Sequence, residues 1–296
     1  MTEATIALRG VTKRYGPITA VRDLDLGLHA GEVVALVGHN GAGKTTQIKM
    51  MLGLARPTAG TVRLFGADPA GGGFGLRAAV GYLPESVSFH LALTGRETLG
   101  FYARLKRLPA DHLGAAFAAV GLSDAADRAV GTYSKGMRQR LGLAQALLGQ
   151  PRVLILDEPT SGLDPALRRD FYAIVAARAA QGATVLLASH ALTELEGSAD
   201  RVVIVDRGAK IADGTLDDLR RIASLPVHVK MRPAGAFAAE GWRRLADGSF
   251  ETTVDAAGKM PLLARLLADP GAVADLTVAE PTLDDLYAHF LKREAA

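Results

Sequence analysis

Apolar and polar positions alternate with period two over residues 5–8 and again over 20–28, the spacing of strands with one face in a core. The next stretch, Val33-Val34-Ala35-Leu36-Val37, is apolar throughout, as are Val153-Leu154-Ile155-Leu156 and Val185-Leu186-Leu187-Ala188. Such runs predict strands covered on both faces. Helical patterns lie between them, over 44–54, 94–149 (with breaks near Pro109 and 121–123) and 165–181. Uniformly apolar strands alternating with helices imply a parallel sheet with helices on both faces. A short strand at 61–65 and a hairpin over 201–212, turning at Arg207-Gly208, complete this part. The cluster Gly71-Gly72-Gly73-Phe74-Gly75 reads as a flexible loop.

The pattern changes beyond about Leu219. Strands are predicted at 226–232, 250–254 and 273–278, an amphipathic helix at 260–267 and a terminal helix at 283–292. This is a small α+β module of roughly 70 residues, a size that calls for packing on a neighbour or partner. Leu283, Leu286, Tyr287, Phe290 and Leu291 recur at helical spacing, a stripe expected to pack on its own module.

The apolar run 33–37 feeds Gly38-His39-Asn40-Gly41-Ala42-Gly43-Lys44-Thr45, the GxxxxGK[ST] pattern of a phosphate-binding loop. Its glycines let successive N–H groups converge on a polyphosphate, and the helix from about Lys44 adds its positive dipole end. Lys44 is placed to bridge the terminal phosphates and the Thr45 hydroxyl to ligate Mg²⁺. The chain is therefore predicted to bind a nucleoside triphosphate.

Composition narrows the classes. The 296 residues are 49% hydrophobic with a net charge of +3, too even to argue for nucleic acid. With no cysteine, a disulfide framework, thiolate metal site or thiol nucleophile is excluded, and the seven scattered histidines form no visible soft-metal cluster. No apolar run approaches the ~20 residues that span a bilayer, and residues 1–5 do not resemble a signal peptide. A cytoplasmic chain is expected, with membrane association through a partner.

Two further clusters carry chemistry. The run 153–156 ends in Asp157, the second Mg²⁺-side carboxylate of such a site. Glu158 follows, on the opposite side of an extended backbone, where it would polarise an attacking water. Some twenty residues earlier, Thr132-Tyr133-Ser134-Lys135-Gly136-Met137-Arg138-Gln139-Arg140 sets a good N-cap before a helix, a second anion site.

Together these motifs resemble the ATP-binding cassette (ABC) family over residues 4 to about 219. The resemblance implies an α/β P-loop NTPase cassette with a RecA-like core, an antiparallel β subdomain and a helical subdomain over about 86–150. Domains are then expected at 1–219 and 220–296, the second the small α+β module. It implies ATP and Mg²⁺ as ligands. Tyr15, Gly38, His39, Asn40, Gly41, Ala42, Gly43, Lys44, Thr45 and Thr46 would bind ATP, with Tyr15 stacking on adenine. Thr45, Glu85 and Asp157 would hold Mg²⁺. Glu158 resembles the catalytic base and His190 the switch histidine near the γ-phosphate. Ser134, Lys135, Gly136 and Asp164 match elements that act across a homodimer interface on the partner's nucleotide.

Two departures stand out. The signature, usually Leu-Ser-Gly-Gly-Gln, is Tyr133-Ser134-Lys135-Gly136-Met137, and Glu85 stands where many members have glutamine. Neither looks inactivating. The segment after Glu85, in the family, receives a short cytoplasmic helix of a multi-spanning permease.

A single cassette without heptad arm or zinc module favours a transporter ATPase, peripheral to the inner membrane, over a soluble non-transport ABC ATPase. No Asn-Lys-x-Asp motif supports a GTPase. The loop, Gly81-Tyr82-Leu83-Pro84-Glu85, the signature helix and Glu280-Pro281-Thr282-Leu283-Asp284-Asp285-Leu286-Tyr287 resemble the NosF subfamily. Those ATPases serve maturation of the copper centres of nitrous oxide reductase, working with a permease and a periplasmic accessory protein. Drug or polysaccharide export is the alternative.

Overall fold

The computed structural model describes residues 4–109, 111–190, 195, 197–235, 237, 240–268 and 271–294. The chain divides into two compact units, 1–213 and 214–296.

In the first unit, β1 (Ile6–Tyr15) and β2 (Ile18–Leu28) form an antiparallel hairpin that pairs Ile6 with Leu28 and Tyr15 with Ile18. Both strands run longer than the alternation predicted, since register shifts along β1 carry the pairing through to the Gly16-Pro17 turn. After β3 (Val33–Val37) and α1 (Lys44–Met51), β4 (Ala59–Leu64) returns antiparallel to β1 and completes the three-stranded sheet β2-β1-β4.

The glycine cluster is only partly loop, because Gly73 starts a single-turn helix, α2 (Phe74–Ala78). β5 (Val80–Leu83) follows, then three helices: α3 (Gly95–Leu105), α4 (His112–Ala119) and α5 (Lys135–Leu147). Thr94 and Glu97 form a reciprocal capping box that fixes the start of α3. β5 lies close to α5, and Gly81 makes that possible. A Cβ there would sit 2.1 Å from the carbonyl oxygen of Ala146.

β6 (Val153–Asp157), α6 (Pro165–Ala180), β7 (Thr184–Ser189), β8 (Arg201–Asp206) and β9 (Ala209–Gly214) complete the unit. The main sheet has the order β5-β6-β7-β3-β8-β9, parallel from β5 through β8. β3, β6 and β7 are buried at every residue, as their unbroken apolar runs required. One core joins both sheets through α1. Ile6 and Leu24 from the hairpin, Ile48 and Met51 from α1, and Leu36, Ile155 and Leu186 from the main sheet belong to a single apolar cluster.

In the second unit, α7 (Leu216–Ala223) opens on a Thr215–Asp218 capping box. The expected boundary at 219 falls inside this helix, which the hydrophobic pattern did not predict. β10 (Val227–Pro233), β11 (Arg243–Arg244), β12 (Phe250–Val254), α8 (Ala256–Leu267), β13 (Val273–Ala279) and α9 (Leu283–Glu294) follow. The antiparallel sheet has the order β11-β12-β10-β13, and Val229 and Met231 pack with Leu262 and Leu266 of α8. Leu283, Leu286 and Phe290 of α9 are buried, and α9 packs against α7 within the unit. Among the described residues no helix is long and apolar enough to cross a membrane.

Candidate nucleotide-binding site

The carboxyl end of β3 is where the main sheet hands the chain to the phosphate loop. Gly38 passes the neighbouring strand so closely that a Cβ would lie 2.6 Å from the carbonyl oxygen of Val205. Gly43 has φ +102° and leaves no room for a side chain beside the Ala20 carbonyl. Both positions therefore demand glycine. Gly43 also forms the N-cap of α1 with no side-chain cap hydrogen bond, the kind of open helix start at which anions bind.

Lys44 is buried. Its ammonium donates to the carbonyl oxygens of Gly38 and, at 3.4 Å, of His39. Burial lowers its pKa, while the charges of Glu158, Asp157 and Glu85 oppose that shift. The same crowding acts in reverse on Asp157, at the end of β6. Burial, then the Glu158 and Glu85 carboxylates, push it up to about 6. Glu85, Asp157, Glu158 and Lys44 line one cleft, while among the described residues no three acidic or histidine side chains lie close enough to hold a metal ion by themselves. Thr45, Glu85 and Asp157 supply oxygen donors of the type Mg²⁺ prefers. A cleft of about 520 Å³ opens over this group, its walls including Asn40, Gly41, Thr45, Glu85, Asp157 and Glu158.

Glu158 departs from the extended backbone expected of it. Its φ is +48°, left-handed, and its N–H donates to the Ala188 carbonyl at 2.9 Å. β6 thus ends abruptly at Asp157 and turns the next side chain toward β7. There Oε1 lies 2.8 Å from Nδ1 of His190, and Oε2 accepts the Ser189 hydroxyl at 3.3 Å. A non-glycine residue in this region carries local strain, which here fixes the direction of the carboxylate. Gln139 of α5 reaches the same corner and donates to the Pro159 carbonyl at 3.2 Å.

The phosphate loop, Glu85, Asp157 and Glu158 thus meet around one cleft, with His190 on Glu158. Other predicted residues stand elsewhere. Tyr15, at the hairpin tip, is half exposed with the Lys13 ammonium 4.8 Å from its ring centroid, and does not line the cleft. Ser134 caps α5 by accepting the Met137 N–H at 3.1 Å. Asp164 caps α6 by accepting from Ala166 and Leu167, both at 3.0 Å. Lys135 packs over Gly162, where a Cβ would come within 2.9 Å of its ammonium. Ser134, Lys135, Gly136 and Asp164 lie outside this chain's own cleft.

The structure also adds wall residues that sequence motifs did not single out: Ile18, Thr19, Ala20 and Arg22 of β2, and Arg207 of the β8–β9 turn. Only the pairing of β8 beside β3 brings Arg207 to the loop, so no local signal marked it.

Comparison with known proteins agrees with this geometry. The sequence profile of the family described as "ABC transporter" matches residues 21–161. The daunorubicin resistance ATP-binding protein DrrA3 of Streptomyces coeruleorubidus is 34% identical over 98% of this chain and 96% of its own. The Nod factor export ATP-binding protein I of Burkholderia orbicola (strain AU 1054) is 40% identical over 72% of each chain. A solved structure described as the ATP-binding subunit of an ABC transporter superposes with a TM-score of 0.69 at 32% identity, covering 74% of this chain and 92% of that one. The chain belongs to the ATP-binding subunits of ABC transporters, ATPases whose hydrolysis of ATP is coupled to transport.

Proposed function

We propose that this chain is the motor subunit of an exporter, two copies closing on two ATP molecules and driving a separate membrane permease. The observation that carries the mechanistic part is the Glu158 carboxylate, held by His190 and Ser189 beside Asp157 and Lys44. The loop amides of residues 38–46 and the Lys44 ammonium bind the phosphates. Thr45, Glu85 and Asp157 would hold Mg²⁺, which would supply positive charge to offset that of the phosphates. Glu158 orients and deprotonates the attacking water, and His190 holds Glu158 and senses the terminal phosphate. Tyr15 stacks on the base once nucleotide enters. The exposed Ser134, Lys135 and Asp164, with the half-buried Gly136, complete the partner copy's site, which accords with their absence from the lining of this chain's own cleft.

Leu91 and Leu93 before α3, and Phe101 and Leu105 one turn apart on it, are exposed apolar side chains suited to receive the permease's cytoplasmic helix. The chain then works at the inner face of the membrane without entering it. The names of the relatives, daunorubicin resistance and Nod factor export, favour export of an amphipathic small molecule. The second reading, NosF-like service to nitrous oxide reductase with a periplasmic accessory protein, is favoured only by motif likeness in the loop, the signature helix and residues 280–287.

The test replaces Glu158 with Gln in the organism that carries the gene, then measures anthracycline tolerance and nitrous oxide reduction in the same cells. Lost tolerance with intact reduction supports drug export. Lost reduction with copper-deficient reductase reverses the order of the two readings. A purified wild-type chain that binds no ATP would overturn both.

A further inference from the structure

Two arginines line the cleft with side chains that the fold leaves unused. Arg22, on β2, is exposed, and its guanidinium has no hydrogen bond or ion pair among the described residues. Arg207, in the β8–β9 turn, is 81% exposed, and its Nε stands 3.7 Å from Oδ2 of Asp206, beyond hydrogen-bond reach. Asp206 takes its close contact from His39 instead, whose Nε2 lies 2.6 Å from Oδ1.

The backbone beneath both arginines is firmly placed. Gly208 donates its N–H to the Ala42 carbonyl at 3.0 Å and accepts the Arg22 N–H at 2.8 Å. A Cβ on Gly208 would come within 2.8 Å of the Ala20 carbonyl oxygen, so the turn lies directly on β2. Arg22 and Arg207 thus flank the point where the turn, β2 and the end of the phosphate loop are tied together.

The strand order decides which part of a nucleotide they meet. β6 and β7 lie on one side of β3 and lead to Asp157, Glu158 and His190, whereas β8 lies on the other and leads to Arg207. The carboxylates mark the end of the cleft where the terminal phosphate reacts. The arginines stand away from it, on the side where β2 begins with the exposed, apolar Ile18, a surface suited to a base. Without them, Lys44 faces Glu85, Asp157 and Glu158 with no other lysine or arginine among the described lining residues.

We propose that Arg22 and Arg207 bind the phosphates nearest the ribose, the part of the nucleotide that ATP and ADP share. The proposal deepens the ATP-site reading and rests on it. A guanidinium stays charged throughout the working pH range, and its forked donors match phosphate oxygens. These contacts need no metal and survive loss of the terminal phosphate, so they hold the product as well as the substrate.

The full chain, Arg22→Ala and Arg207→Asn are titrated with ATP and with ADP in EDTA, which prevents turnover. Asparagine suits position 207, where φ is +43°. Each variant should bind both nucleotides roughly five-fold more weakly. The gap should shrink as NaCl rises from about 50 to about 500 mM, because exposed charges are screened. Arg63→Ala, which removes an exposed arginine of β4 outside the cleft, controls for net charge and should bind as wild type does. Unchanged affinity in the cleft variants, a loss confined to ATP, a gap that ignores salt, or an equal loss in Arg63→Ala each overturns the proposal. A wild-type chain that binds no ATP instead refutes the site reading beneath it.

Discussion

Asp157 makes the nucleotide-free site a source of instability, and replacing it should show how much. In the folded chain its pKa rises from 3.8 to about 6, first through burial and then through Glu158 and Glu85. At about 1.4 kcal/mol per unit, a shift of about two units corresponds to about 3 kcal/mol. The sign follows from which state holds the proton more tightly. The folded chain does, so the stabilising contribution is fully present below about pH 3.8 and is lost as pH rises through about 6. Above that, the folded chain carries an ionised carboxylate among two others. Asp157→Asn, a neutral stand-in for the protonated acid, should therefore unfold at higher urea than wild type at about pH 8, by up to about 3 kcal/mol. The difference should shrink steadily as pH falls from about 6 toward 4. Far-UV circular dichroism of the metal-free chain in EDTA is the assay, because the single tryptophan, Trp242, lies in the second unit and reports on the wrong one. The same variant should lose Mg²⁺-dependent ATPase. A variant no more stable than wild type at about pH 8, or a difference that ignores pH, would refute the reasoning.

Glu158→Gln should keep ATP binding but hydrolyse at least ~10²-fold more slowly and accumulate an ATP-bound dimer, seen by size-exclusion chromatography; unchanged turnover would move the base elsewhere. Lys44→Ala and Ser134→Arg should each be inactive alone, yet a mixture should regain activity through the one composite site that keeps both motifs. No recovery on mixing would contradict a shared interface. Leu286→Ala, at a fully buried α9 position, should destabilise the second unit by about 2–5 kcal/mol in a Trp242 fluorescence melt; a change under about 0.5 kcal/mol would mean α9 does not hold that unit together.

Much of the catalytic corner was legible because its signals are local. The phosphate loop is eight consecutive residues after an apolar run, and Asp157-Glu158 closes another such run. Helix starts at Ser134 and Asp164 were equally local, since a cap acts on amides two or three residues away. α7 escaped the hydrophobic reading because only Leu219 and Ala223 of its eight residues are buried, although the Thr215–Asp218 capping box was there to be read. The left-handed turn at Glu158 was not legible, because nothing in a Glu-Pro pair marks φ +48°.

The sequence by itself determined the nucleotide chemistry, the buried strands and the parallel character of the sheet, because each depends on side-chain period or on groups a few residues apart. Tertiary structure alone decided the strand order β5-β6-β7-β3-β8-β9, and with it which distant residues share the cleft. His39 meets Asp206 across 167 positions and Glu158 meets Ser189 across 31. Such pairs arise only when hydrogen-bonded neighbouring strands end side by side, and local sequence carries no record of which strand its neighbour will be.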